Sequence, residues 1–182
     1  MDIKRSIFFV ALLFVSFSAP CNKPTIVDKL VTTGKRTVSN RNIEAIIVHS
    51  TYNISGGDKY DVDKILSQFT RYKVSAHYLI ARNGVIYRLV KEKNISFHAG
   101  KSCLPDGNKN VNSHSIGIEV VTSKDSLDAP TVKQIDALVA LVKDIKSRYK
   151  IKYVLRHSDI APGRKTDPWN MNWEEFLKRI DN

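Results

Sequence analysis

The sequence predicts an α/β domain in which a mixed central β-sheet is flanked by helices. Three observations carry this. Apolar, β-branched runs at Ile43–Val48 and Ser115–Thr122 read as buried strands. Between the β-type runs Ala76–Arg82 and Val85–Val90 stands Asn83-Gly84, a hairpin signature in which both turn residues are expected at φ > 0. From Pro130 to about Tyr149, Val132, Ile135, Leu138, Val139, Val142 and Ile145 recur at the helical period, and proline can open a first turn. A chain of 182 residues has room for one such domain and not for two full cores.

Taken in order, residues 21–42 are polar with scattered apolar positions and read as a linker leading into the domain at 43–182. Gly56-Gly57-Asp58 marks a loop after the first strand. Residues 61–73 then read as a helix: Val62, Ile65, Leu66 and Phe69 share a face and Asp61 is placed to cap it. Residues 99–114, rich in glycine and asparagine, read as a long loop. Lys152–Leu155 reads as a short strand, 156–171 as a loop, and Asn172–Ile180 as a terminal amphipathic helix. The order β-α-β-β-β-α-β-α argues for one mixed sheet with helices packed on it.

With 42% hydrophobic and 26% charged residues, the composition excludes disorder, collagen, coiled coil and a multi-span membrane protein. The net charge of +11 suits a polyanionic partner such as nucleic acid, anionic lipid or an acidic wall polymer. At the N-terminus, Lys4 and Arg5 precede the apolar run Ile7–Val15 and the small residues Ser16, Ser18 and Ala19. This is the pattern of a secretory signal over residues 1–20, too short for a transmembrane helix. Ser18-Ala19-Pro20-Cys21 resembles a lipoprotein box, although Pro20 is unusual there. Lipidation of Cys21 would tether an exported, periplasmic or extracellular chain to a membrane; otherwise a Cys21–Cys103 disulfide is open to it.

Five histidines are present, and two fall at strand ends: His49 closes Ile43–Val48 and His157 closes the strand ending at Arg156. Ends of neighbouring strands meet at one sheet edge, so both imidazoles can face a common point. Asp167 follows in the loop after His157. Two imidazoles and a carboxylate match a catalytic zinc site with a fourth position open. Two structural histidines and a turn aspartate before Pro168 would satisfy the spacing equally. In Ser115–Val121, Glu119 alternates away from Ile116, Ile118 and Val120, so its carboxyl should be partly desolvated and suited to proton transfer. Gly117, on the same face, would leave space for a substrate. Lys165 can aim a cation at the same place, where it would stabilise an oxyanion.

These residues together resemble the type-2 N-acetylmuramoyl-L-alanine amidases, a family that includes the animal peptidoglycan recognition proteins. The matching segments are Ile46–Thr51, Val74–Ile80, Asn83-Gly84, His98-Ala99-Gly100, Ser115–Glu119 and His157–Pro168, in family order across residues 43–168. The resemblance implies a zinc site in a surface groove with His49, His157 and Asp167 as ligands. It makes Glu119 the catalytic acid/base and Lys165 the residue that supports the transition state. His98 would line the substrate groove, and His77 would serve there or behind it; Trp169, expected to touch substrate as well, departs from the family, where small residues are frequent after the proline. Phage relatives place a tyrosine helper where Ala76 stands, and Tyr78 is two positions on. The implied reaction is hydrolysis of the amide between the lactyl group of N-acetylmuramic acid and L-alanine, with peptidoglycan or a muropeptide as substrate and a monomer as the working form.

Two other classes compete. A non-catalytic peptidoglycan-binding module would typically have lost a metal ligand, and here His49, His157, Asp167 and Glu119 all stand. A nucleic-acid binder would suit the charge, yet no recognition helix or interleaving of aromatic and basic residues is present, so no nucleic-acid partner is expected.

Overall fold

The computed structural model describes residues 23–125 and 127–182, so the expected signal segment, Cys21 and any Cys21–Cys103 pairing lie outside the described residues. The strands are β1 (Ile26–Asp28), β2 (Lys35–Arg36), β3 (Ala45–Thr51), β4 (Tyr78–Ile80), β5 (Ile86–Arg88), β6 (Ile95–Ser96), β7 (Ser115–Val121) and β8 (Tyr153–Arg156). The helices are α1 (Val62–Tyr72), α2 (Val111–His114), α3 (Val132–Arg148), α4 (His157–Ile160) and α5 (Trp173–Asp181). Six strands form one sheet in the order β1-β5-β4-β7-β3-β8, and β2 pairs with β6 apart from it. β3 lies between β7 and β8 and is parallel to both; β4 is parallel to β7, and the β4–β5 pair is antiparallel. The sheet is therefore mixed. Among the described residues no helix is long and apolar enough to cross a membrane.

Alternation along the central strands divides the sheet into two faces. Ile46 and Val48 of β3, Ile116, Ile118 and Val120 of β7 and Tyr78 and Ile80 of β4 pack under α3 and α5, with Leu138, Leu141, Val142, Ile145 and Phe176. On the other face lie two separate apolar clusters. One gathers Ala45 and Ile47 with Ala99, Leu104, Val111 and Ile160; the other gathers Leu79 and Val121 with Ile65 and Phe69 of α1. His49, Gly117 and Glu119 share this second face and lie between those clusters.

Several elements differ from the sequence reading. The linker contributes β1, which joins the sheet edge by pairing with β5, and β2, which pairs with β6. Arg88 pins β1 by donating to both Asp28 carboxylate oxygens at 2.6 and 2.8 Å. The hairpin turn has positive φ at Gly84 and not at Asn83. Gly84 N–H donates to Ala81 C=O at 2.9 Å and Ala81 N–H to Val85 C=O at 3.0 Å, the pattern of a three-residue loop closing on a glycine bulge instead of a type I′ turn. Asn83 keeps φ negative and accepts the Val85 N–H through its side chain. The loop regions 99–114 and 156–171 hold the short helices α2 and α4.

Asp61 caps α1 as expected, accepting the Lys64 N–H at 3.1 Å. α3 begins later than Pro130, because Thr131 forms a capping box with Gln134: each accepts the other's backbone N–H through its side chain. Val132 consequently points outward and is 76% exposed. Asn172 caps α5 instead of belonging to it.

Gln134 does more than cap. Its Nε2 donates to the carbonyls of Ile80 and Val121, tying α3 to the ends of β4 and β7 at 3.1 and 2.9 Å. Gln134 is fully buried. Gln134→Ala strands those carbonyls, and the expected loss is about 1–3 kcal/mol of stability. The check is a lower urea midpoint with an unchanged slope.

Candidate metal and catalytic site

The site lies where the parallel strands β3, β7 and β8 end, outside their carboxyl termini, the usual place for ligands on such sheets. His49 on β3 sits directly opposite Glu119 on β7. Neighbours in register on parallel strands point to the same face, so both side chains lie on the polar strip of the second face. β8 ends at Arg156, and His157 opens α4 immediately after it. The imidazole rings of His49 and His157 lie 4.3 Å apart by centroid.

Asp167 reaches the pair from the loop after α4. Its Oδ2 lies 3.0 Å from His157 Nδ1 and 3.6 Å from His49 Nδ1. The three donor atoms are within 4.8 Å of one another and all three residues are buried. The loop is strapped to the sheet edge by three backbone N–H groups. Ser158 donates to the Asp167 carbonyl at 3.0 Å, Ser50 to Asp167 Oδ2 at 3.4 Å, and Trp169 to Ser50 Oγ at 3.1 Å.

The hydrogen bonds behind the triad bear on whether it fits a metal. His157 Nε2 lies 3.2 Å from the Ala99 carbonyl, which only accepts, so Nε2 carries the proton. In the neutral ring this leaves Nδ1 as a lone pair facing Asp167. Burial, then the neighbouring His157, lowers the pKa of His49 to about 4 against the raising contact of Asp167, so this ring is neutral at physiological pH. Two imidazole nitrogens converging on a carboxylate oxygen form a donor set that a divalent cation completes.

Glu119 has a different environment. Its Oε2 is buried and has no hydrogen-bond partner among the described residues. Burial first, and the Asp167 charge second, raise its pKa to about 8, with Lys165 acting the other way. A cavity of about 340 Å³ opens over the site, bordered by Glu119, His98, His157, Asp167, Lys165 and Trp169. Phe69, Val74 and Phe97 give it an apolar border, which the sequence reading missed. Val74 and Phe97 are more than a third exposed, and each flanks a histidine-bearing segment, the one signal that could have singled them out.

The remaining expected residues separate. His98 borders the cavity but also touches His49, with Nδ1 2.9 Å from His49 Nε2. Gly117 does not leave room for a substrate: a Cβ there would clash with the His98 ring, which fills that space. His77 has no solvent exposure and does not border the cavity, so of its two expected places it takes the one behind the groove and is not a substrate contact. Its Nδ1 accepts the Gly117 N–H at 3.1 Å, which leaves Nε2 to donate to the Asn94 carbonyl at 3.1 Å. Arg41, unremarked in the sequence, donates to that same carbonyl and to the Ser115 carbonyl. Tyr78 lies on the opposite face, its hydroxyl donating to Glu92 at 2.6 Å, and so is no helper to the site. Trp169 Nε1 donates to Thr166 Oγ1 at 3.0 Å, and Lys124 sits 5.4 Å over its ring.

The Glu119 environment has a measurable consequence in metal-free protein. A carboxyl whose folded pKa exceeds its unfolded value loses stability as pH rises between the two, where the unfolded chain ionises and the folded one stays protonated. Relative to Glu119→Gln, which does not titrate, the wild type should lose stability as pH rises from about 4.5 to about 8. Urea unfolding in chelator at pH 5 and pH 8 reads this as a widening gap in favour of the variant. An unchanged gap would mean that Glu119 behaves as an ordinary exposed carboxyl.

Comparison with known proteins agrees with this geometry. The chain is 35% identical over 155 residues to the N-acetylmuramoyl-L-alanine amidase AmiD of Escherichia coli (strain K12), covering 75% of this chain and 53% of that protein. It spans between about half and three fifths of the length of the curated relatives it matches. Among solved structures, it superposes on a crystal structure of an AmpD selenomethionine derivative with TM-score 0.70 at 26% identity, over 87% of this chain and 95% of that one. It also superposes on E. coli AmiD in complex with the substrate anhydro-N-acetylmuramic acid-L-Ala-D-γ-Glu-L-Lys, with TM-score 0.65 at 34% identity, over 78% of this chain and 58% of that one. Residues 39–170 match the family described as N-acetylmuramoyl-L-alanine amidase, and the chain belongs to that family.

Proposed function

We propose that this chain is a zinc-dependent N-acetylmuramoyl-L-alanine amidase that cleaves the amide between the lactyl group of N-acetylmuramic acid and L-alanine of a peptidoglycan stem. The observation that carries this is the buried His49–His157–Asp167 triad with the unpartnered Glu119 Oε2 on the same cavity. The muropeptide held by the AmiD relative supports the substrate class. Two nitrogens and one carboxylate oxygen support zinc over calcium or magnesium, which favour all-oxygen sites.

Zinc held by His49 Nδ1, His157 Nδ1 and Asp167 Oδ2 would supply a Lewis acid and bring hydroxide within reach near neutral pH. Glu119 Oε2, lacking another partner, accepts the proton of the water that attacks the lactyl carbonyl. It then delivers that proton to the alanine nitrogen as the C–N bond breaks. A pKa raised by burial keeps the carboxyl basic enough for the first step and acidic enough for the second. Lys165 borders the same cavity and offers its ammonium to the negative charge that gathers on the carbonyl oxygen. The apolar border at Phe69, Val74 and Phe97 limits water around the scissile bond and gives the substrate's methyl-bearing groups a surface to contact.

A non-catalytic binding module would have no need of a buried, unpartnered carboxyl beside the triad. Burying such a group costs free energy that binding alone does not require. The reading also places the enzyme outside the cytoplasm, where the wall is. The signal-like start and the net charge of +11 support export to a carboxylate-rich polymer. If Cys21 is lipidated, Cys21→Ser moves the protein from the membrane to the soluble fraction.

Protein purified without chelator should carry one zinc per chain. His49→Ala, His157→Ala and Asp167→Ala should each lower metal content and turnover together, and full retention of metal in two of them would show the ligands to be others. Glu119→Gln should keep the metal and lose about 10²–10⁴ in rate. Products should be free stem peptides with an L-alanine amino terminus and glycan with no new reducing ends. New reducing ends would identify a glycosidase instead.

A further inference from the structure

His98 is hydrogen-bonded through both ring nitrogens, and the direction of each bond can be worked out. The chain of groups ends at the Val111 carbonyl, 2.6 Å from Ser115 Oγ. A carbonyl only accepts, so the Ser115 hydroxyl proton points there. Ser115 Oγ therefore meets His98 Nε2, 3.1 Å away, with a lone pair, and His98 Nε2 carries the proton. His98 Nδ1 is then the acceptor for His49 Nε2–H at 2.9 Å. With its proton on Nε2, His49 presents Nδ1 as its lone pair, and Nδ1 is the nitrogen that faces Asp167 Oδ2.

We propose that His98 is a positioning residue: through Nδ1 it holds His49 in the tautomer and rotation that turn Nδ1 toward the metal. Ser115 sets the direction of the chain, and the His98 ring stands where any Cβ on residue 117 would have to go, which suits glycine there. This rests on the metal-dependent reading of the site. The two imidazole ligands are thus backed in different ways. His157 is oriented by the backbone carbonyl of Ala99, which substitution cannot remove; His49 is oriented by a side chain, which it can. The rings of His49 and His98 meet nearly edge to face, 80° between planes, so His98 abuts the edge of its partner without stacking on it. Groups that orient a metal-bound histidine through its second nitrogen typically contribute about 10–100-fold to metal affinity.

The test uses the full chain, with zinc affinity measured by competition against a chromophoric chelator and the site viewed through the electronic spectrum of the cobalt(II)-substituted protein. His98→Ala should weaken zinc binding about 10–100-fold and shift the cobalt absorption. Ser115→Ala should act in the same direction by a smaller factor, and Gly117→Ala should reproduce the His98→Ala effect by displacing the ring. Imidazole ¹⁵N spectra of the wild type should show both His49 and His98 protonated at Nε2, a readout that stands even if His98→Ala fails to fold. Wild-type zinc affinity and cobalt spectrum in His98→Ala, with only KM raised, would overturn the proposal and make His98 a substrate contact. A His98 proton on Nδ1 would overturn it too. A wild type that binds no zinc would instead bring down the metal-dependent reading on which the proposal stands.

Discussion

The parallel pairing of β3 with β7 is the constraint on which the site depends. His49 is opposite Glu119 in that ladder, and Ile47 is opposite Gly117. Side chains alternate along each strand, so the same register sends Ile46, Val48, Ile116 and Ile118 under α3 and α5 while it turns His49 and Glu119 to the other face. A slip of one residue in β3 would put His49 into the apolar layer and bring Ile46 and Val48 out of it. The apolar face thus locks the chemistry: burying each of those branched side chains is worth about 1.5–3 kcal/mol, and together they hold the imidazole and the carboxyl in line.

The second face divides what it buries. Apolar clusters under α1 and around α2 and α4 flank a polar strip made of His49, Gly117 and Glu119, with His77 and Ser115 beside them. Such groups are costly to bury unless each has a partner. Most are paired with backbone: His77 with Gly117 N–H and Asn94 C=O, Ser115 with Val111 C=O, His157 with Ala99 C=O. Glu119 Oε2 breaks the pattern. Beside these paired groups, an unpaired carboxyl oxygen on the wall of the cavity is a cost that the fold tolerates.

The residues that make the central sheet were legible because each carries a strong local signal. Ile43–Val48 and Ser115–Thr122 are apolar enough to be buried on both faces, and Asp61 and Asn172 have the side chains that cap helices. His49, His157, Asp167 and Glu119 were legible as chemistry, and the sequence resemblance assigned them their roles. The remainder lacked a local signal. β1 and β2 are three and two residues long and lie in polar surroundings, so pairing with β5 and β6 makes them strands, not their own pattern. The turn at Asn83-Gly84 closes through a bond between Ala81 and Val85, beyond the dipeptide that announced it. Gly117 looked like open space because its occupant, His98, arrives from a segment 19 residues earlier. Arg41 sits in the apparent linker, and its role is visible only once Asn94 and Ser115 are beside it.

The third ligand explains why the loop after α4 matters. His49 stands on a strand held by two neighbours and His157 at the first turn of α4, but Asp167 comes from irregular chain. Irregular chain positions a carboxylate well only if its own backbone is tied down. Here the ties run both ways: Ser158 N–H holds the Asp167 carbonyl, Ser50 N–H reaches its carboxylate, and Trp169 N–H holds the Ser50 side chain. Each involves a backbone N–H, so the loop is fastened at the Asp167 carbonyl, at its carboxylate and at Trp169 by the chain itself. Lys165 and Trp169 lie two residues either side of Asp167 and border the same cavity. Fixing Asp167 therefore also fixes the Lys165 cation and the Trp169 indole on either side of it, and one short strapped segment sets carboxylate, charge and cavity border together.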